Sequence, residues 1–205
     1  EAADTRICSI DGENGKHIYR GYDILDLVNH STFEETSFLL LFGSLPTETR
    51  LVSFVDEMKE ERDIPDMVYE NLRNRPHSAS PMDVLQSSVS ELPDYDSNLK
   101  DDTKEVNVKR AIKLIAKIPT IVAAWNRIRN DLDPIKPRTD LSHAENFLYM
   151  LFNEKPSQDA ADIFDKCLIL HAEHSFNAST FAAREIASTK AHIYGSITGA
   201  IAALS

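Results

Sequence analysis

Val106–Asn130 reads VNVKRAIKLIAKIPTIVAAWNRIRN, and its pattern decides the fold class. Between Ala111 and Trp125 the residues Ala111, Ile112, Leu114, Ile115, Ala116, Ile118, Ile121, Val122, Ala123, Ala124 and Trp125 cover nearly all sides of a helix. A helix that is apolar all round lies at the centre of a core or faces another subunit. Pro119 has no amide hydrogen to donate, so it predicts a kink within this helix.

Outward from this segment the chain is punctuated for further helices. Towards the amino terminus, Asp23 can cap a short helix to His30. Thr32-Phe-Glu-Glu35 has the spacing of a capping box before an apolar helix that stops at Gly43, and Thr47 caps the next. Pro65 and Pro81 stand at first-turn positions of helices over Asp66–Arg73 and Met82–Leu92, and Pro93 closes the second. Asp94–Asp102 is acidic and polar and reads as a mobile surface connector, with Asp101 and Asp102 as solvated charge. Towards the carboxyl terminus, Asp131–Asp140 is a connector, Ser142-His-Ala-Glu145 is a second capping box leading into Phe147–Phe152, and Ser157 begins a helix that reaches His171.

Thr5–Arg20 alternates loosely around Gly12-Glu-Asn-Gly15, which predicts a β-hairpin and no other β-structure. The class is therefore all-α with a small amino-terminal hairpin. Neither a repeat nor a linker divides the chain into two domains.

Composition narrows the function. The 205 residues are 42% hydrophobic and 27% charged, enough to bury a sizeable core. A net charge of −11 argues against a nucleic-acid or anionic-membrane surface, since phosphate contacts need clustered Lys and Arg. An anionic metabolite would need a local basic pocket. Cys8 and Cys167 are far apart among apolar neighbours, as reduced thiols are in a cytosol. Apolar runs such as Phe38–Phe42 fall far short of a membrane span, and Glu1–Arg6 has no signal-peptide pattern, so the expected location is cytoplasmic.

The polar groups that could carry chemistry concentrate in His171-Ala-Glu-His174-Ser-Phe-Asn177-Ala-Ser-Thr180, just after the apolar run Ile163–Leu170. They are expected to converge at the end of a buried helix. His171 and His174 could share a helical face towards a metal, but no Cys or third His is near in sequence, so no metal is assigned. Alternatively His171 only satisfies carbonyls at the helix end. For His174 the residues Asn177, Ser179 and Thr180, which would cap the next helix, point instead to a pocket in which an imidazole donates to a carbonyl oxygen and stabilises the charge developing on it. His77, His143 and His192 are isolated and read as structural. No dinucleotide-binding glycine motif, P-loop or nucleophile elbow is present.

Several ordered motifs resemble the citrate synthase family: Ile18-Tyr19-Arg20-Gly21-Tyr22-Asp-Ile24, Phe33-Glu-Glu35, Leu39-Leu-Leu-Phe-Gly43-Ser-Leu45-Pro46-Thr47, Pro81-Met82-Asp83-Val84-Leu85, Leu170-His171-Ala-Glu-His174 with Asn177-Ala-Ser-Thr180, and Ala187-Ser-Thr189. The resemblance spans essentially the whole chain and is closest in style to bacterial and archaeal citrate or 2-methylcitrate synthases. It implies that residues 1–205 form the N-terminal part of the large domain. The small domain and the C-terminal part would lie outside, in line with Ala191–Ser205 ending without a capping glycine or basic last turn.

The resemblance also implies an acyltransferase that condenses acetyl-CoA with oxaloacetate to give citrate and CoA, without metal or prosthetic group, as a homodimer. His174 matches the histidine that hydrogen-bonds the oxaloacetate keto oxygen, Asn177 matches a nearby site asparagine, and His171 matches a supporting position. No catalytic acid–base residue is assigned in this chain, because the family's His and Asp for that step are expected beyond Ser205. The alternatives are a 2-methylcitrate synthase using propionyl-CoA and a non-catalytic helical dimerisation fragment.

Overall fold

The computed structural model describes residues 4–205; Glu1–Ala3, which belong to the segment tested above for a signal peptide, lie outside the described residues. Three short antiparallel strands, β1 (Cys8–Asp11), β2 (Lys16–Tyr19) and β3 (Tyr22–Asp23), form one sheet in that order. The expected hairpin is thus extended by a third strand. In the first turn the Asp11 carboxylate accepts from the Asn14 amide at 3.1 Å and its side chain at 2.7 Å. The second turn is the pair Arg20-Gly21, both with positive φ (50° and 96°), between the paired residues Tyr19 and Tyr22. Two consecutive left-handed residues match the twist of adjoining strands. Asn-Gly would have announced this turn, and Arg-Gly does not.

Among the described residues ten α-helices follow: α1 (Ile24–His30), α2 (Phe33–Phe42), α3 (Glu48–Glu60), α4 (Asp66–Arg73), α5 (Pro81–Glu91), α6 (Lys104–Ile128), α7 (His143–Phe152), α8 (Gln158–His171), α9 (Ala178–Ser188) and α10 (Ile193–Ala202). The class is all-α, as expected. Asp23, Thr32, Thr47, Ser142 and Ser157 each accept a first-turn amide through the side chain, as their positions predicted. The Ser142–Glu145 box is complete, whereas at α2 only half forms, because the Glu35 carboxylate takes the Ser31 hydroxyl at 2.7 Å. Pro65 stands just outside α4, and Pro93 lies inside a 3₁₀ turn over Leu92–Tyr95.

Helix α6 runs through Pro119 as one 25-residue element. Ile112, Leu114, Ala116, Thr120, Ile121, Ala123, Ala124 and Trp125 are buried, while Val122 faces outward. One core gathers α4, α5, α6 and α10, and another joins the sheet to α1, α2 and Ile169 of α8. A third links α2, α3 and α6. Helices α9 and α10 approach so closely that a Cβ on Gly199 would stand 2.1 Å from Ile186 Cδ1.

The stretch Asp94–Asp102 is not the free connector its polarity suggests. Arg110, 2% exposed, donates to the Asp96 carboxylate at 2.6 Å, the Asp101 carbonyl at 2.6 Å and the Asn98 carbonyl at 2.7 Å. The acidic loop is wrapped round one buried cation.

Candidate functional site

The predicted site residues lie in and beside the turn joining α8 to α9. The helix leading to it is less buried than expected: only Ala161 and Ile169 of α8 are buried, while Ile163, Leu170, Cys167 and His171 are exposed. His174 is likewise exposed. The polar groups do converge, but at an open surface.

Two elements far apart in sequence hold the turn. The Tyr19 ring is fully buried, and its hydroxyl donates to the Ile169 carbonyl at 3.0 Å while accepting from the Glu173 amide at 3.2 Å. Burial raises the Tyr19 phenol above its ordinary range. The Glu173 carboxylate then accepts from the Ser175 amide at 2.6 Å, and Ser175 adopts a left-handed φ of 73°. Cys8 is paired with Tyr19 across the sheet, and its thiol is pushed up by burial and by the neighbouring Glu173 carboxylate.

Asn177 closes the other side. As N-cap of α9 its side-chain oxygen accepts from the Thr180 amide at 2.7 Å, and its Nδ2 stands 3.2 Å from His174 Nε2. An amide nitrogen only donates, so Nε2 is the accepting nitrogen and the His174 proton resides on Nδ1. The ring therefore offers Nδ1–H to a ligand. Ser179 and Thr180 belong to α9 itself rather than to its cap.

His171 has a local role. Its Nδ1 lies 2.7 Å from the Cys167 carbonyl, one turn back, which is the helix-end reading of this residue. The isolated histidines have structural surroundings. His143 is buried and pushed down to about 3 by burial and by the Arg62 guanidinium, His192 caps α10, and His77 stands 3.5 Å from the Asp131 carboxylate. Tyr19 and Cys8 escaped the sequence reading of the site, and Glu173 entered it only as a member of the polar stretch, because nothing local announces a contact across some 150 positions; Tyr19 was visible only as part of a family motif.

For the expected basic pocket Arg184 is a candidate cation, lying over the Phe176 ring at 4.8 Å. Two cavities of about 550 and 410 Å³ are lined by other residues, the first by Lys109, Lys113 and Lys117 among others, the second by Glu34, Asp162 and Asp165. Among the described residues no three His, Cys, Asp or Glu side chains are grouped to hold a metal, and no helix is long and apolar enough to cross a membrane.

The chain and its fold match known proteins. Residues 1–205 match the family model described as citrate synthase, C-terminal domain. The citrate synthase of Haloferax volcanii is 41% identical over 99% of this chain and 55% of its own. The 2-methylcitrate synthase of Mycobacterium tuberculosis is 39% identical over 98% and 50%. Among solved structures, citrate synthase from Pyrobaculum aerophilum superposes with a TM-score of 0.94 at 42% identity, covering all of this chain and 53% of its own. The ternary complex of the Thermoplasma acidophilum enzyme with carboxymethyl coenzyme A and oxaloacetate also gives 0.94, at 28% identity and 54% of its own chain. The chain belongs to the citrate synthase family. It spans about half the length of the curated relatives it matches.

Proposed function

We propose that this chain supplies the oxaloacetate-binding part of a citrate synthase, with His174 as hydrogen-bond donor to the keto oxygen. The observation that carries this is the Asn177 amide on His174 Nε2, which leaves Nδ1–H as the free donor. A donor aimed at that oxygen makes the keto carbon electrophilic and stabilises the negative charge that develops as the carbon–carbon bond forms. The methyl carbon of acetyl-CoA, deprotonated to its enol form, attacks that carbon; water then cleaves the citryl thioester, giving citrate and CoA. The archaeal homologue that holds oxaloacetate and a coenzyme A analogue supports this assignment.

The proton acceptor for the acetyl methyl group is not among the site residues assigned here. The acid–base His and Asp come from outside these 205 residues, so the chain by itself makes no citrate. Proton transfer and carbonyl polarisation suffice for the reaction, and neither a metal nor a prosthetic group is invoked. The protein acts in the cytoplasm as a homodimer, binding neither nucleic acid nor membrane.

A 2-methylcitrate synthase using propionyl-CoA is the second reading, favoured by the mycobacterial relative. One methylene separates the two substrates, and an apolar pocket discriminates it by only about 1–3 kcal/mol. Thiol release by the complete protein, with oxaloacetate and each acyl-CoA in turn, tests both. Faster turnover of acetyl-CoA supports the first reading, faster turnover of propionyl-CoA the second, and no release with either overturns both.

A further inference from the structure

We propose that Tyr19 and Glu173 are positioning residues for His174, so that the amino-terminal sheet sets the geometry of the substrate turn. The inference rests on the reading of His174 as the carbonyl donor and adds the residues that aim it. Tyr19 lies in the apolar cluster of Cys8, Ile24, Leu27, Leu39 and Ile169, where a phenylalanine ring would fill nearly the same space. Its hydroxyl is buried, and a buried hydroxyl is tolerated only when partnered. Its partners, the Ile169 and Leu170 carbonyls and the Glu173 amide, belong to the open end of α8 and the turn that follows. The contact spans 154 positions and fixes the chain one residue before His174.

Glu173 continues the brace to the other side. Its carboxylate takes the Ser175 amide and holds that residue in a left-handed conformation that L side chains seldom adopt. His174 is therefore flanked by two fixed residues, while Asn177 meets its ring at Nε2. Cys8, the cross-strand partner of Tyr19, has its thiol pushed up by burial and by the same carboxylate. Neither Tyr19 nor Glu173 is assigned contact with substrate. They act through the position of the imidazole, and an error of about 1 Å in such a position can cost about a hundredfold in rate.

The test uses the complete protein with ¹⁵N-labelled histidine and three variants: Tyr19→Phe, Glu173→Gln and Glu173→Ala. The wild type is expected to show His174 as the Nδ1–H tautomer. Tyr19→Phe and Glu173→Ala are expected to shift that signal towards a mixture of tautomers and to lower kcat by about ten- to a hundredfold, with the KM for acetyl-CoA unchanged. Glu173→Gln keeps an oxygen for the Ser175 amide and is expected to stay within about threefold of wild type. Unchanged His174 signals and unchanged kcat in a folded Tyr19→Phe protein would overturn the inference. Should that variant fail to fold, the Glu173 pair decides: the inference fails if Ala and Gln are alike. A wild type without citrate or methylcitrate formation sinks the functional reading instead, and the tautomer signals still report on the brace.

Discussion

Asn177 faces His174 with its amide nitrogen, 3.2 Å from Nε2, because its oxygen is already committed to the Thr180 amide. One side chain thus caps α9 and selects the imidazole tautomer. Asn177→Asp separates these tasks. Aspartate caps a helix as well as asparagine does, but it can only accept from Nε2, which moves the proton there and removes it from Nδ1. The expected result is a melting temperature close to wild type and a turnover lower by about 10²-fold, the scale of losing one donor to developing oxyanion charge. Thiol release and thermal denaturation check it; wild-type turnover would mean that the Nδ1 proton does not matter.

His174→Ala and His171→Ala should part in the same way. His174 is exposed and carries no backbone, so its loss is expected to lower turnover by about 10²- to 10³-fold with little change in stability. His171 contributes a hydrogen bond to the Cys167 carbonyl, and removing it should cost about 0.5–1.5 kcal/mol in stability while turnover changes little. Measuring kcat and urea unfolding for both variants tests the division, which fails if His174→Ala retains wild-type kcat.

A half-buried carboxyl and a buried imidazole act on acid stability with opposite sign. Burial, with Glu34 and Asp162 nearby, pushes Asp165 up to about 6, against the bond from the Phe33 amide. An acid whose folded value is raised binds its proton more tightly when folded, so it stabilises the protein as pH falls from about 6 to about 4. His143, depressed to about 3, does the reverse: the folded protein resists protonating it, and stability is lost as pH falls from about 6.5 towards 3. Asp165→Asn keeps an acceptor for Phe33 and removes only the first effect. It should raise the melting temperature at pH 7.5 and steepen the loss between pH 6 and 4. Melting curves across that range decide it, and a variant no more stable than wild type at pH 7.5 would refute the assignment.

How much of this was legible in the sequence follows from the range of each interaction. Caps at Asp23, Thr32, Thr47, Ser142 and Ser157 are settled within four residues, and the helices begin where those residues stand. His174 and Asn177 lie three apart, so their pairing was within reach of spacing and family motif together. The Arg20-Gly21 turn, the Arg110 cradle and the Tyr19–Glu173 contact are different. Arg20 shows its left-handed φ only in the fold, Arg110 reads as one more basic residue on a helix, and Tyr19 meets Glu173 only after α8 has docked on the sheet.

Arg110 is expected to be among the most sensitive positions away from the site. Burial alone would raise the Asp96 carboxyl, and the Arg110 guanidinium, the Asn98 amide and the Tyr194 hydroxyl together outweigh that and hold it below the ordinary range. Arg110→Ala takes the side-chain donor from the Asn98 and Asp101 carbonyls and leaves the Asp96 carboxylate to the Asn98 amide and the Tyr194 hydroxyl, and breaking such a pair costs about 3–5 kcal/mol. Arg110→Lys should not rescue it, because a single ammonium cannot reach groups lying in three directions from one planar fork. Urea unfolding should show both losses, with faster proteolysis at residues 96–101; a lysine variant as stable as wild type would show that charge alone holds the loop.

The proposed homodimer needs a two-fold face, and α5 with α6 offers one. Met82, Leu85 and Val89 form a stripe at helical spacing on α5, continued by Leu92 in the turn beyond it, but Val89 and Leu92 turn into the core, and Ile121 of α6 is fully buried. A charge at Ile121 would therefore test folding rather than assembly. Val122 opens outward and Leu85 is half-buried, and both line an apolar cavity of about 170 Å³ with Pro81, Met82 and Trp125. A second copy packed on this face would cover the apolar rim, and two-fold dimers are the commonest oligomers. Leu85→Lys with Val122→Lys places four like charges across such an interface and leaves the fully buried Ile121 in place. Sedimentation of the complete protein carrying both changes is expected to give monomers with a wild-type helical spectrum, and a dimer of undiminished stability would place the interface elsewhere.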